Sequence, residues 1–396
     1  MKQRVVICLS GGVDSSVAAH ILVQKGYEVI AVFMRNWNDE SLIISNECPW
    51  VEDSNDAMMV AQKLGIPFHI IDLTKEYKRR IVDYMLEEYG RGKTPNPDVL
   101  CNREIKFKIL LEEIEELDVD FIATGHYCQR DVIKKGGEEI YSLIKGVDPN
   151  KDQSYFLCSL SQEQLSKVIF PIGGMLKTEV RKIASDMGLV TADKKDSQGL
   201  CFIGKIKLPD FLKQELIPRQ GSIVKISDKE DIYLENPTSF NSLEQELYNL
   251  YEHKRYSIKM GEVVGIHQGA HSFTIGQRKG LGVGGTKDPL FVIGTDTKEN
   301  VVYVGEGDSH PGLFKSVVFV SDENTHWVRT DLAIDTGESM KVEACIRYRQ
   351  SPQKAVLYKF ERGLYLRFAS PQWAVTQGQF VVWYIENELI GSGVIE

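Results

Sequence analysis

Residues 4–25 read RVVICLSGGVDSSVAAHILVQK. The apolar run at 4–9 is short and ends at a glycine turn, the pattern of a buried strand. Val17, Ala18, Ile21 and Leu22 then fall on one face of 14–25, which predicts a helix. A strand, a glycine turn and a helix open a parallel α/β sheet. In SGGVDSS, residues 10–16, Gly11 and Gly12 let the backbone approach a ligand closely. The helix N-terminus behind them offers unpaired N–H groups and a positive dipole, which suit an anion. Ser10, Ser15 and Ser16 add hydroxyls. Asp14 is unsuited to touching phosphate and suited to holding Mg²⁺ beside one. No GK[ST] follows, so this is not the Walker loop. It reads as a pyrophosphate loop, of the kind used to split ATP between its α and β phosphates.

Alternation of strands and helices continues outward from there. Strands are expected at 28–34, 67–71 and 119–124, and helices at about 52–64, 76–89 and 103–117. Ligands of such sheets bind at the carboxyl ends of the strands. Residues 90–102 read as an extended loop stiffened by two prolines. Helical patterning covers much of 160–215. Beyond about 220, short alternating runs such as VVYVGE, SVVFVS and FVVWYI predict a small barrel or sandwich. Residues 228–262 fit neither half and read as an insertion with a helical patch at 242–253.

At 396 residues the chain is too long for one domain of about 150 residues. Its 42% apolar and 26% charged residues exclude a disordered or collagen-like polymer. No apolar run reaches the roughly 18 residues of a membrane span. The N-terminal apolar run ends in the glycine loop without a cleavage signal, so export is not expected and a cytoplasmic location is. A formal charge of −9 excludes a globally basic nucleic-acid binder. A local basic face remains open. Residues 341–367 carry Lys341, Arg347, Arg349, Lys354, Lys359, Arg362 and Arg367 against Glu343 and Glu361, with Tyr348, Tyr358, Phe360 and Tyr365 interleaved. That mixture suits RNA, and also an ordinary polar sheet face.

Other stretches carry chemistry. Seven scattered cysteines show no disulfide rhythm. Asp98 and Cys101 in TPNPDVLCN (94–102) are three residues apart and close enough to face one site. Cys201 lies in DSQGLCFIG (196–204), flanked by glycines and near Lys194, Lys195 and Lys205. Exposure and nearby cations are what a reactive thiol needs. On spacing alone both cysteines stay open between chemistry and packing, whereas Cys8, Cys158 and Cys345 sit in apolar contexts and read as small hydrophobes. No C-x₂-C pair supports zinc. ATGHY (123–127) falls at the sheet's functional edge. NKDQSYFL (150–157) offers Lys151 and Gln153 to phosphates or bases, or is a solvated turn. GLGVGG (280–285) matches a dinucleotide fingerprint only formally, because no helix follows it.

SGGVDSS, FMRNW, TPNPDVLCN, EIKFK, ATGHY, NKDQSYFL, KKDSQGLCFIG, TIGQRKGLG and RYRQ occur in this order. Together they resemble the tRNA-specific 2-thiouridylases, the MnmA/TrmU family, over nearly the whole chain. The resemblance implies an N-terminal α/β domain with a pyrophosphatase-loop, adenine nucleotide hydrolase-like parallel sheet, then a small central domain and a C-terminal β-barrel. The expected division is 1–205, 206–295 with the insertion near 228–262, and 296–396.

The resemblance also implies a set of site residues. Cys201 would carry a persulfide, Cys101 would be its partner thiol, and Asp98 the general acid/base. Cys8, Leu9, Ser10, Gly11, Gly12, Val13, Asp14, Ser15, Met34 and Gly125 would contact ATP, with Mg²⁺ beside it. Asn96, Pro97 and Asp98 would line the base pocket. His126, Lys151, Asp152, Gln153, Arg347, Tyr348 and Gln379 would touch tRNA. The implied partners are tRNAs with Lys, Glu or Gln acceptor identity and a cysteine desulfurase or sulfur-relay protein, with no membrane. Three departures from the family pattern stand out: residues 228–262, Gln377 in place of a proline before GQ, and Gln198 and Leu200 beside Cys201. A pyrophosphatase-loop enzyme without tRNA, which needs neither cysteine, and a redox-sensing RNA binder are the rival readings.

Overall fold

The structure is a computed structural model and describes residues 2–37, 49–114, 118–195, 208–234, 240–252 and 254–396. Its first sheet contains β1 (Arg4–Cys8), β2 (Glu28–Arg35), β3 (Phe68–Asp72) and β4 (Phe121–Ala123). A hairpin, β5 (Cys128–Lys135) and β6 (Glu138–Lys145), intervenes before the fifth strand, β7 (Val168–Ile169). The order is β3-β2-β1-β4-β7, with every pair parallel. Alternate residues feed two cores. Val6, Cys8 and Val32 point to one face, and Val5, Ile7, Ala31 and Phe33 to the other. Burial on both faces is why β1 and β2 read as apolar runs. Strand order reverses at β1, which has β2 on one side and β4 on the other. The crevice between the carboxyl ends of β1 and β4 is therefore the switch point where such sheets take ligands.

The segment expected to be an extended loop to residue 102 turns helical at Pro97. Asn96 caps that helix, its Oδ1 accepting from the N–H groups of Asp98 at 3.2 Å and Val99 at 3.4 Å. Proline suits the first helical position because its missing N–H would be unpaired there anyway. The helix runs on through wide π-type turns at Cys101–Ile109 to Glu113.

The second sheet orders β10-β11-β8-β9, from β8 (Gly221–Ile226), β9 (Gly261–His267), β10 (Leu290–Asp296) and β11 (Val301–Glu306). The expected boundary at 295–296 therefore cuts the hairpin β10–β11. The strand pattern did not reveal that VVYVGE pairs backward with β10 and β8.

The C-terminal unit is built from β12 (Phe314–Ser321), β13 (Thr325–Trp327), β14 (Ser339–Cys345), β15 (Gln353–Phe360), β16 (Gly363–Trp373), β17 (Phe380–Ile385) and β18 (Glu388–Val394). Inward residues, among them Val318, Leu357, Leu366, Val381 and Trp383, fill its core. The hairpin β5–β6 joins this sheet: Glu388 and Leu389 pair with Ile144 and Leu143. The N-terminal domain thus lends two strands to the barrel, which sequence reading missed. Gly136-Gly137 between alternating runs was the available signal.

Within the expected insertion, the helix Leu243–Tyr251 bridges the last two units. Leu247 is fully buried among Val317, Phe319 and Tyr365, and Glu246 pairs with Arg367 at 3.0 Å. Lys315 Nζ donates to the Tyr251 carbonyl at the helix end, at 3.1 Å. Leu247→Ala is expected to destabilise this junction by about 2–5 kcal/mol. The first urea transition should then come earlier; an unmoved transition would contradict the packing role.

Candidate active site

The pyrophosphate loop leaves β1 and enters the helix Val13–Gln24 through Gly12, which is extended and gives the helix no side-chain cap. The serine hydroxyls are turned inward. Ser15 Oγ and Ser16 Oγ donate to the Gly12 carbonyl at 3.1 and 2.8 Å, and Ser15 Oγ accepts from Ser10 N–H at 3.2 Å. They stiffen the loop and occupy the Ser10 N–H, so an anion would meet the N–H groups of the helix's first turn at Val13 and Asp14. Gly125, at the end of β4, lies directly against this loop. A Cβ there would sit 2.6 Å from Ser15 N and 2.8 Å from the Asp14 carbonyl carbon, so only glycine allows the approach. Cys8 and Leu9 are buried and can offer the crevice only backbone.

Asp14 is engaged in a way the sequence did not show. Lys177 Nζ lies 2.6 and 2.8 Å from its two oxygens, and the Tyr127 hydroxyl donates to Oδ1 at 2.7 Å. The carboxylate expected to hold Mg²⁺ is already neutralised by an ammonium, so it does not fit a magnesium ligand in this arrangement. Lys177 itself is held by its backbone N–H, which donates to Asp148 at 3.0 Å.

Asp98 and Cys101 are three residues apart on a helix, hence on one side of it. Cys101 is only 1% exposed. It shares a core with Val6, Cys8 and Val32 of the sheet, so its helix covers the face beside the end of β1. Burial pushes the thiols of Cys8 and Cys345 up to about 12 and that of Cys158 up to about 11. Those three are protonated packing residues, as their contexts suggested. Cys201 lies outside the described residues. The stretch before it is tied down. Lys194 Nζ reaches Asp53 at 2.7 Å and Asp56 at 2.5 Å, and Arg181 donates to the carbonyls of Ala192 at 2.9 Å and Lys194 at 3.2 Å.

The residues expected to touch tRNA divide into two groups. Lys151, Asp152, Arg347 and Tyr348 line one cleft of about 920 Å³ between the 146–152 loop and the barrel. Tyr348 packs on Phe156 with ring centroids 4.3 Å apart, and Arg349 lies over Tyr348 at 5.2 Å. Within this cleft Asp152 is a brace, accepting from Gly146 N–H at 2.9 Å and Ser154 N–H at 3.1 Å. Arg347 bonds the Trp373 carbonyl.

The other three are engaged within the protein. His126 is buried against Phe107 and Phe170, with Thr124 Oγ1 2.7 Å from Nδ1. Burial holds its pKa well below the usual imidazole value, with nearby Lys106 adding to the effect, so it is neutral. Gln153 Oε1 accepts from Tyr127 N–H at 3.0 Å. Gln379 Nε2 donates to the carbonyl of Thr94 at 2.7 Å. The basic run is also thinner than its count of charges. Arg367 pairs with Glu246 and Lys359 with Asp322. GLGVGG leads into strand β10 and not a helix.

A parallel sheet whose switch point carries an uncapped glycine–serine loop defines a nucleotide-binding α/β enzyme domain. Family models place it further. A tRNA methyl transferase HUP domain matches residues 3–205, a tRNA methyl transferase PRC-barrel domain 243–306, and an aminomethyltransferase beta-barrel domain 319–395. The bridging helix at 243–251 thus falls within the matched middle domain. The chain is 60% identical to a tRNA-specific 2-thiouridylase MnmA of Flavobacterium johnsoniae, over 99% of this chain and 100% of the relative. Its identity to the protein of that name from Christiangramia forsetii is 58%, with the same coverage. It is 44% identical to one from Listeria monocytogenes, over 99% of this chain and 94% of the relative. The chain belongs to the tRNA-specific 2-thiouridylase family.

Proposed function

We propose that this chain replaces the 2-carbonyl oxygen of the wobble uridine in tRNA with sulfur, consuming ATP. A uracil oxygen is a poor leaving group and must be activated. The loop at 10–16 presents backbone N–H groups and a helix N-terminus to the phosphates, and Lys177 offsets the Asp14 charge beside them. ATP, as its magnesium complex, is a substrate here: O2 of the uridine takes the adenylyl group and pyrophosphate leaves. Asp98 is the acid/base beside the base, which is flipped out against Asn96 and Pro97. A persulfide on Cys201 supplies sulfur to C2, and AMP departs with the former O2. Cys101 then attacks the Cys201 sulfur and closes a disulfide, freeing the thiolated base. If Cys101 attacks first, it frees sulfide, which adds to C2 instead. An external thiol reductant reopens the disulfide, and a cysteine desulfurase or relay protein then reloads the sulfur on Cys201. The accepted tRNAs are those for Lys, Glu and Gln. Among the described residues no helix is long and apolar enough to cross a membrane, and we place the reaction in the cytoplasm.

One observation carries this reading: the helix bearing Asp98 and Cys101 covers the same sheet face that ends at the nucleotide loop. The test is sulfur incorporation, with ATP, Mg²⁺, a persulfide source and unmodified wobble-uridine tRNA. Pyrophosphate should appear only when tRNA is present. Release without tRNA would return the chain to the synthetases that need no RNA. Binding of tRNA is expected to weaken steeply with salt despite the net charge of −9, because phosphate contacts release counterions. Affinities measured between 50 and 200 mM salt check this, and a flat response would sink it.

A further inference from the structure

The cleft of about 920 Å³ is cationic in an acidic chain. Lys145, Lys151, Arg347 and Arg349 line it, with Asp152 as the one carboxylate among its lining residues. That carboxylate already accepts from Gly146 and Ser154 N–H. A concave surface of one sign gathers ions of the other, even on a protein of net charge −9. Two of the cations are held by the protein. Lys145 Nζ lies 4.2 Å from the centre of the Tyr384 ring, and Arg347 spends an N–H on the Trp373 carbonyl. Arg349 differs. It is exposed, its guanidinium lies over Tyr348 at 5.2 Å, and it makes no ion pair or side-chain hydrogen bond among the described residues. Its backbone is strained as well. Arg349 has φ +63, the left-handed region in which an L side chain crowds its own backbone, and it is the only basic residue described there. The turn imposes this conformation. Gln350 Oε1 accepts from Ile346 N–H and its Nε2 donates to Gln372 Oε1, both at 2.8 Å, while Gln350 N–H donates to the Arg347 carbonyl at 3.4 Å. Glycine would adopt the turn freely and asparagine at small cost. Local structure therefore gives no reason for an arginine, and strain of this kind points to a function.

We propose that Arg349 binds a backbone phosphate of the RNA, and that the strained turn exists to present its guanidinium to the cleft. The proposal rests on the reading of tRNA as the substrate. A guanidinium supported by a ring keeps its planar fork of N–H donors, and that fork matches two oxygens of one phosphodiester. Such a contact fixes the register of the RNA and reads no base, so it serves every accepted tRNA alike.

The test measures tRNA binding by wild type, Arg349→Gly, Arg349→Asn and Arg349→Lys at salt concentrations from about 50 to 200 mM. ATP binding is measured beside it without RNA. Glycine and asparagine both suit the turn and carry no charge, so either one decides if the other fails to fold. Each is expected to weaken tRNA binding by about tenfold at low salt, as loss of a charged hydrogen bond does. Each should also flatten the plot of log affinity against log salt by about 0.7–0.9, the share of one phosphate. Arg349→Lys keeps the charge and should keep the slope. ATP affinity should stay within about twofold throughout, as for a surface change away from the loop at 10–16. Wild-type tRNA affinity in an uncharged variant overturns the proposal. Weaker binding with an unaltered slope also overturns it, and makes Arg349 a stacking partner for a base. A wild type that binds ATP and no tRNA defeats the proposed function, and the phosphate contact with it. A wild type that binds tRNA no better than its uncharged variants defeats the contact alone.

Discussion

Lys177→Met is expected to raise the KM for ATP and to slow tRNA-dependent pyrophosphate release, together by about 10–100-fold in kcat/KM. The reason lies in what the substitution leaves behind. The Lys177 side chain is 10% exposed and that of Asp14 31%. Removing one partner of a fully buried pair costs about 3–5 kcal/mol, because the other charge stays uncompensated. Partial exposure of Asp14 lets water screen it, which brings the expectation down to about 1.5–3 kcal/mol. That uncompensated carboxylate sits in the loop that must accept a polyanion, so the penalty falls on nucleotide binding and on the charge built up as pyrophosphate departs. Asp14→Asn introduced into Lys177→Met removes the stranded charge, and is expected to recover part of the loss. Steady-state kinetics of the two variants, with circular dichroism to confirm folding, check both points. Wild-type kinetics in Lys177→Met would show that the pair does not serve the nucleotide.

The Asp14–Lys177 pair also marks where sequence reading stops. SGGVDSS was legible because its physics is local: a strand, two glycines and a helix start within sixteen residues. Lys177 is 163 residues away from Asp14. Only the sheet order, which sets β4 beside β1 and β7 beside β4, brings the two together. His126 looked available because ATGHY ends a strand at the functional edge, yet Phe107 and Phe170 close over it. Nothing local in TQGQF points Gln379 to the Thr94 carbonyl that it holds. Its partner, Thr94, belongs to another unit. The hairpin at 128–145 had a local signal in its paired glycines, but its membership of the barrel did not. The helix starting at Pro97 was hidden by reading the two prolines as stiffeners of an extended loop, where Asn96 before it makes Pro97 a first helical residue.

Cys101→Ser and Cys201→Ser are each expected to lower thiolation by on the order of 10³-fold, since residues acting as one unit fail together. Each should leave tRNA-dependent pyrophosphate release in place, because adenylation precedes sulfur transfer. Mercury-retardation gels of the tRNA, run beside a pyrophosphate assay, separate the two halves. The burial of Cys101 sharpens the experiment. A disulfide holds its Cα atoms within about 4.4–6.8 Å, so the Cys201 sulfur must reach a thiol that is only 1% exposed. Serine at 101 places a hydroxyl in that apolar core, at about 1–3 kcal/mol if unpaired, and a loss of activity there has two explanations. Cys101→Ala separates them, because it removes the sulfur and adds no polar group. If alanine and serine lose thiolation alike while pyrophosphate release persists, the thiol itself is required. If Cys101→Ala thiolates tRNA at the wild-type rate, Cys101 is a packing residue. Sulfur would then leave Cys201 without a partner in this helix, and Asp98 would be the helix's sole chemical contribution.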